Sequence, residues 1–586
     1  MPVYIIKEDM MSYIDTYNKW LADTRLSTEG RTELESLKGN NEDIEYRFGA
    51  ELEFGTAGMR GIIGFGTNMM NVYTVKRATQ GLAEFIKTKG TAAMERGVAI
   101  SYDTRLKSDE FALAAAEVLA ANNIMAHLYG MEHPVPMLSF AVRELNTYAG
   151  IMVTASHNPK QYNGYKVYGE DGAQMSPEDT AGVVKFIKSI DDYLDPHTPT
   201  DEQKSKYIKI ISDKVDKKYY DELEKLTISK HAIKKFGKDL KLVYTPVHGS
   251  GYIPVTTILK RIGINATVVE EQTKKDTDFS TVEVPNPEFK ETLSMGIKYA
   301  EQIGATVVFG TDPDSDRLGV AVKNNEGEFE ALSGNQVGIL LLDYILNRLK
   351  EEGTMPENPA VVKSFVTTGM AKAICARFGV TLFEVPVGFK FIGEKIKLWE
   401  RPDCEHPYSY VFGFEESCGY LRGTHARDKD AVVASMLCAE MVCYYTSIGK
   451  TVYQRLQEIY DTYGYVLDCN ISVPFKGLHA MDDMNKVVDS LKVNPATKFD
   501  IYNVSAVRDY SKNIMIDVAT GATSEIGSPL TNCVYYEFEN GSFICVRPSG
   551  TEPKLKTYFS VKMQNKKDAE EALEKMQVAV KELLGV

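Results

Sequence analysis

Cysteine is sparse and one-sided in this 586-residue chain: there are eight, the first is Cys375, and none forms a CxxC pair. Neither a disulfide framework nor a zinc site is suggested, and a reducing compartment is expected. Long apolar runs are missing too. No stretch of about 18 apolar residues occurs, and the N-terminal MPVYIIKEDM meets charges at Lys7 to Asp9 before a signal-like core can form. A soluble, cytoplasmic protein with no membrane partner is expected. Positive charge is in deficit, with 67 Lys and Arg against 81 Asp and Glu. The resulting net charge of -14 repels polyanions, so nucleic acid is not an expected partner. A small anionic ligand would need a local basic pocket.

The composition that remains, 44% hydrophobic and 25% charged, is that of a protein able to bury several cores unaided. At ~100 to 200 residues per domain the length suggests three to five domains. From Val98 the pattern alternates: VAISYD reads as a buried strand, SDEFALAAAEVLAANN as a capped helix, IMAHLYG as a strand, PMLSFAVREL as a helix and YAGIMVT as a strand. Such alternation predicts a largely parallel sheet. The same grammar restarts at KLVYTP and again at AVVKSFVTT, ending in ATVVFG and YSYVFGFEES. Upstream, Tyr13 to Leu37 has helical spacing, and GTAGMRG (Gly55 to Gly61) reads as a loop. Beyond the helix starting near Asp430 the alternation fades into strands through CNISVPF and CVYYEFE, closed by a charged helix over Lys566 to Leu584. The expected fold is α/β: three topologically similar α/β domains with mixed, largely parallel sheets, plus a C-terminal α+β domain. Expected bounds are 1–225, 226–335, 336–460 and 461–586.

Ligands of open α/β sheets collect beyond the carboxyl ends of strands, so the polar loops there are where chemistry is sought. In TASHNPKQYNGYKVYG an apolar strand delivers Ser156 beside His157, with Lys166 following the turn Asn163-Gly164. A serine captures a phosphoryl group only when its proton is removed or charge on phosphorus is neutralised. In GTDPDSDRLG, Asp312, Asp314 and Asp316 stand two apart and can converge on a hard cation, magnesium rather than zinc. An EF-hand is excluded, since its glycine position is Arg317 and its terminal glutamate falls on Lys323. In FGFEESCGYLRGTHARDKDA, Glu415 and Ser417 could bind sugar hydroxyls while Arg427 and Lys429 meet a phosphate. VPVGFKFIG places Gly388 and Lys390 in a loop between strand and helix. CVRPSGTEPKLKTY offers Arg547, Ser549, Gly550 and Thr551, the ingredients of a phosphate nest.

Taken in order, TASHNP, TDPDSDR, GFEES and RPSGTEPK resemble the four signature loops of the α-D-phosphohexomutase superfamily, one per domain, over nearly the whole chain. The resemblance implies that Ser156 carries the phosphate. One Mg2+ per chain would be bound by Asp312, Asp314, Asp316 and a phosphoserine oxygen on Ser156. Arg60 and Lys166 would neighbour the phosphoserine, with Lys166 or His157 moving the sugar-hydroxyl proton. Arg317, Gly388, Lys390, Glu415, Ser417, Arg427 and Lys429 would contact substrate, and the Arg547–Thr551 loop would hold its non-reacting phosphate. The reaction implied is conversion of glucose 1-phosphate to glucose 6-phosphate through glucose 1,6-bisphosphate, with small sugar phosphates as partners. The FEES and HARDKD segments look more like the phosphoglucomutase and phosphopentomutase-like branch than the phosphomannomutases. Val387, Phe389 and Cys418 depart from the family pattern and bear on hexose against pentose. Two other classes compete. VVFGTDPDSD is similar to the start of haloacid-dehalogenase-type phosphatases, with Asp312 as nucleophile, although Asp316 stands where Thr or Val is usual. The other is a non-catalytic sugar-phosphate sensor.

Overall fold

The structure is a computed structural model that describes residues 6–55, 58–194, 198–475, 480–549 and 554–585. The chain divides into two compact units. The first comprises Met1–Thr227, Lys238–Ala321 and Gly423–Met436; the second comprises Ile228–Gly237, Val322–Arg422 and Leu437–Val586.

The first unit is built on two sheets. One contains β1 (Gly58–Ile62), β2 (Val98–Tyr102), β3 (Ala126–Leu128), β4 (Ala149–Val153), β5 (Tyr162–Gly169) and β6 (Ile208–Ile210), in the order β1-β5-β4-β2-β3-β6. Strands β4, β2, β3 and β6 run parallel, β5 is antiparallel to β4, and β1 is antiparallel to β5. Every residue of VAISY and AGIMV is buried, as continuous apolar runs at the centre of a helix-covered sheet must be. Helices Val72–Thr88 and Ser108–Ala121 supply the alanines, Leu82, Phe111 and Leu119 that cover it. In the other sheet, β7 (Leu242–Thr245) lies between β8 (Ala266–Val268) and β9 (Val307–Thr311), with β10 (Leu318–Lys323) beyond β9. Strands β7, β8 and β9 are parallel.

In the second unit β11 (Phe329–Leu332) is followed by β12 (Pro359–Ser364), β13 (Thr381–Val385), β14 (Ser409–Glu415) and β15 (Gly419–Leu421), the last four in the order β13-β12-β14-β15. Only the β14–β15 pairing there is antiparallel. The C-terminal sheet holds β16 (Tyr465–Pro474), β17 (Lys498–Phe499), β18 (Tyr502–Asp509), β19 (Ile514–Asp517), β20 (Thr523–Glu525), β21 (Val534–Phe538), β22 (Phe543–Pro548) and β23 (Lys554–Met563). Its pairings are antiparallel, and helices Ala480–Val493 and Lys566–Leu584 add Met484, Val488, Met576 and Val580 to its core. The fold is thus α/β with mixed sheets and an α+β C-terminal part. Among the described residues no single helix is long and apolar enough to cross a membrane.

Tyr13 to Leu37 falls in two helices, Ile6–Ala22 and Thr28–Ser36, divided where Ser27 caps the second by accepting from Gly30 N. Two local expectations change. Ser108 caps nothing: Lys107 occupies the N-cap position in a left-handed conformation, and the Ser108 hydroxyl donates to Asp103 at 2.7 Å. GTAGMRG is no simple loop, since the chain becomes strand β1 at Gly58 and pairs with β5. Gly58 is needed for that close approach: it has φ 152°, and a methyl there would sit 2.1 Å from the Tyr165 carbonyl oxygen. Backbone cannot yield cheaply, so Gly58→Ala is expected to destabilise the protein by about 1–3 kcal/mol, measured by chemical denaturation.

Candidate active site

Strands β2 and β4 are parallel neighbours, so the loops after Tyr102 and Val153 emerge side by side. Thr154 Oγ1 donates to Asp103 Oδ2 at 2.6 Å and accepts from Ser156 N at 2.8 Å. Ser156 then adopts φ 52°, a left-handed backbone that costs a non-glycine residue ~1–3 kcal/mol when its surroundings impose it. Its hydroxyl donates to Asp312 Oδ2 at 3.0 Å and lies 3.2 Å from His157 Nδ1.

The DPDSD turn is pinned from several directions. Asp316 N and Arg317 N donate to Asp312 Oδ1 at 3.1 and 3.0 Å. Ser250 donates twice to the Pro313 carbonyl, and Val135 N donates to that of Asp314 at 3.0 Å. The three aspartates are buried, and a ligand oxygen from each lies within 4.8 Å of the others. At that separation, with an effective dielectric of about 20, each ionised pair repels by roughly 3 kcal/mol. Two ammonium groups offset part of this: Lys166 Nζ is 3.0 Å from Asp314 Oδ2, and Lys429 Nζ is 3.0 Å from Asp316 Oδ2.

Titration follows from this arrangement. Burial, then Asp314 and Asp316, push the Asp312 carboxyl well above its ordinary range. Burial is the largest influence on Asp314 and works to raise it, but Lys166, Asp312 and Lys429 together outweigh it and hold that carboxyl low. Burial raises Asp316, with Lys429 opposing. For Lys166, burial disfavours the ammonium, yet Asp314 and Asp316 prevail and raise it, so it is a standing cation. Burial, reinforced by Arg317, pulls His157 down to about 2, leaving a neutral imidazole. Asp314 Oδ1 and Asp316 Oδ1 are buried without a hydrogen bond to any described residue. Orphaned carboxylate oxygens in an all-oxygen donor set fit a hard divalent cation.

Arg60 projects from β1, exposed, and donates to Asn158 Oδ1 at 3.4 Å. Arg317 pairs with Glu288. Arg427 is 2% exposed and donates to the carbonyls of Thr424 and Ala426. In the second unit, Gly388 has φ 121° and donates its N–H to Glu415 Oε1 at 2.8 Å. Lys390 belongs to the first turn of helix Phe389–Glu400 rather than to a loop, and burial lowers its pKa. Ser417 precedes Cys418, left-handed at φ 60°. Arg547 lies on β22 opposite Lys556, and Ser549 N donates to the Lys554 carbonyl at 2.8 Å. Gly550 and Thr551 lie outside the described residues.

Sequence reasoning passed over Asp103, Arg105 and Asp428. The buried Arg105 guanidinium donates to the carbonyls of Ser156, Asn158, Pro159 and Tyr162. Asp428 accepts from Lys429 Nζ at 2.9 Å and from the Tyr168 hydroxyl at 3.1 Å. A polar DTR directly after the wholly buried VAISY was the available signal, since it repeats the grammar of the loops that were singled out.

Family models match along the chain in four consecutive parts. Phosphoglucomutase/phosphomannomutase alpha/beta/alpha domains I, II and III match residues 51–194, 217–327 and 333–463, and the C-terminal domain matches 505–582. The phosphoglucomutase of Staphylococcus aureus (strain USA300) is 35% identical over 537 residues, covering 91% of this chain and 94% of its own. Among solved structures, the open form of Paramecium pp63/parafusin, a phosphoglucomutase, has TM-score 0.67 at 17% identity, covering 92% of this chain and 95% of that one. A phosphoglucomutase/phosphomannomutase family protein of Burkholderia thailandensis has TM-score 0.63 at 18% identity, covering 90% and 97%. At those identities the two structures attest the fold. Fold and family matches together define an enzyme of the intramolecular phosphotransferase class. The chain belongs to the phosphoglucomutase/phosphomannomutase family, within the α-D-phosphohexomutase superfamily.

Proposed function

We propose that the protein interconverts α-D-glucose 1-phosphate and glucose 6-phosphate in the cytoplasm, through phospho-Ser156 and a glucose 1,6-bisphosphate that also serves as activator. The observation that carries this reading is the Ser156 hydroxyl 3.0 Å from Asp312 within a buried triad of carboxylates. Identity of 35% with a phosphoglucomutase over 91% of the chain supports glucose as the sugar. The working division is 1–225 for the serine domain, 226–335 for the metal domain, 336–460 for the sugar domain and 461–586 for the phosphate domain.

Asp312, Asp314, Asp316 and a phosphoserine oxygen on Ser156 would hold one Mg2+, which when bound supplies neutralisation of phosphoryl charge. Lys166, a cation 3.0 Å from Asp314, adds a fixed positive charge beside the serine, and Arg60 an exposed one. Lys166 or His157 would move the proton of the attacking sugar hydroxyl; burial and Arg317 leave His157 neutral but only weakly basic. Gly388, Lys390, Glu415 and Ser417, with Arg317, Arg427 and Lys429, bind the sugar monophosphate, and Arg547, Ser549, Gly550 and Thr551 hold its non-reacting phosphate. Phosphoryl transfer from Ser156 to the free hydroxyl gives the bisphosphate, which reorients and returns its other phosphate, so total organic phosphate is constant.

Phosphorus NMR of glucose 1-phosphate with protein, magnesium and a trace of glucose 1,6-bisphosphate tests the reading. Glucose 6-phosphate without inorganic phosphate is expected. Net release of inorganic phosphate would instead support a phosphatase using Asp312, and silence would redirect the assay to ribose phosphates. Lys166→Met should keep the reaction but slow it by about 10² to 10⁴-fold in kcat, less than loss of the nucleophile.

A further inference from the structure

We propose that Asp103, Arg105 and Thr154 are positioning residues that impose the left-handed backbone of Ser156 and so aim its hydroxyl at the triad; this rests on Ser156 being the phosphoryl carrier. A serine with φ 52° does not hold that conformation by its own preference. Three groups impose it here, and each is wholly or almost wholly buried.

Thr154 Oγ1 acts from the N-terminal side. It accepts the Ser156 N–H at 2.8 Å and is itself fixed by donating to Asp103 Oδ2 at 2.6 Å. Arg105 acts from the C-terminal side, its planar fork bridging the Ser156 carbonyl and three further carbonyls of the same loop. Asp103 joins the two halves: it accepts from Thr154, from Ser108 Oγ at 2.7 Å and from Arg105 N at 3.0 Å, and lies 3.4 Å from Arg105 Nε. A buried guanidinium spent on four backbone carbonyls of one loop is a costly way to close a surface turn, and an intelligible one if the loop must not relax. None of the three side chains touches a reacting atom. Their contribution is to geometry, where an error on the order of 1 Å can cost ~100-fold in rate.

The test compares full-length wild type with Thr154→Val, which keeps the shape and removes both hydrogen bonds, and Thr154→Ser, which restores the hydroxyl. Thr154→Val is expected to lose on the order of 100-fold in kcat with KM little changed. Thr154→Ser should recover most of that loss, and in a crystal structure of Thr154→Val residue 156 should leave the left-handed region. A folded Thr154→Val that turns over at the wild-type rate, or that keeps φ near 52° at Ser156, would overturn the proposal. If Thr154→Val does not fold, Arg105→Lys, which keeps the charge but not the fork, must show the same split of kcat from KM. Wild type inactive on glucose 1-phosphate would count against the proposed reaction, whereas the backbone at residue 156 in the variant still decides the positioning role.

Discussion

Ser156→Ala is expected to abolish conversion of glucose 1-phosphate, by at least about 10⁴-fold in kcat, because the proposed covalent route would lose its carrier. Phosphorus NMR would show glucose 1-phosphate unchanged, and intact mass would show no phosphorylation after exposure to glucose 1,6-bisphosphate. Alanine at φ 52° is itself strained, so Ser156→Gly is the companion variant: glycine accepts that backbone freely and must be equally inactive. Persisting turnover in either variant would transfer the nucleophile's role to Asp312. That exchange is disfavoured by the hydrogen bonds Asp312 already accepts, from Asp316 N and Arg317 N on one oxygen and from the Ser156 hydroxyl on the other.

Asp312→Asn is expected to move activity and stability in opposite directions. Turnover should fall by at least about 10³-fold, since a carboxylate of the cation site and its charge are lost. The metal-free protein, however, should melt higher than metal-free wild type. Asp312 has its folded pKa raised by burial and by two neighbouring carboxylates, so its ionised form weakens the fold at neutral pH. Asparagine matches its shape, and its carbonyl can still accept the two backbone N–H groups. Magnesium should raise the melting temperature of wild type by mass action and that of the variant much less. EDTA should silence wild type until magnesium is returned. A variant that binds magnesium as wild type does, read by calorimetry, would remove Asp312 from the cation site.

These effects were legible in sequence to an uneven degree. The buried strands VAISY, AGIMV and VVFGT announce themselves by unbroken apolar runs, and the helices between them by period, because burial on both faces leaves little choice of residue. The aspartates were legible because carboxylates spaced by two after such a strand have few structural uses. What sequence could not supply is the partner of each group across long separations. Gly55 to Gly61 reads as a loop by glycine content, yet Gly58 is there for β5, more than a hundred residues away. Ser108 has the look of a cap until Asp103 is seen to claim its hydroxyl. The charge of Arg427 is plain in the sequence, but not that its guanidinium also donates to the carbonyls of its own loop. Arg105 offered only its place in a polar DTR after a buried strand; its role exists once four carbonyls have been folded around it.

The left-handed turn at Ser156 also restricts which alcohols the position can accept. Threonine would bring the same functional group, but a β-branched side chain at φ near 52° crowds its own backbone. Serine, with a single unbranched arm, is the hydroxyl residue this torsion admits at modest cost. If Ser156 is the phosphoryl carrier as proposed, the residue there is selected twice, once by reactivity and once by main-chain stereochemistry.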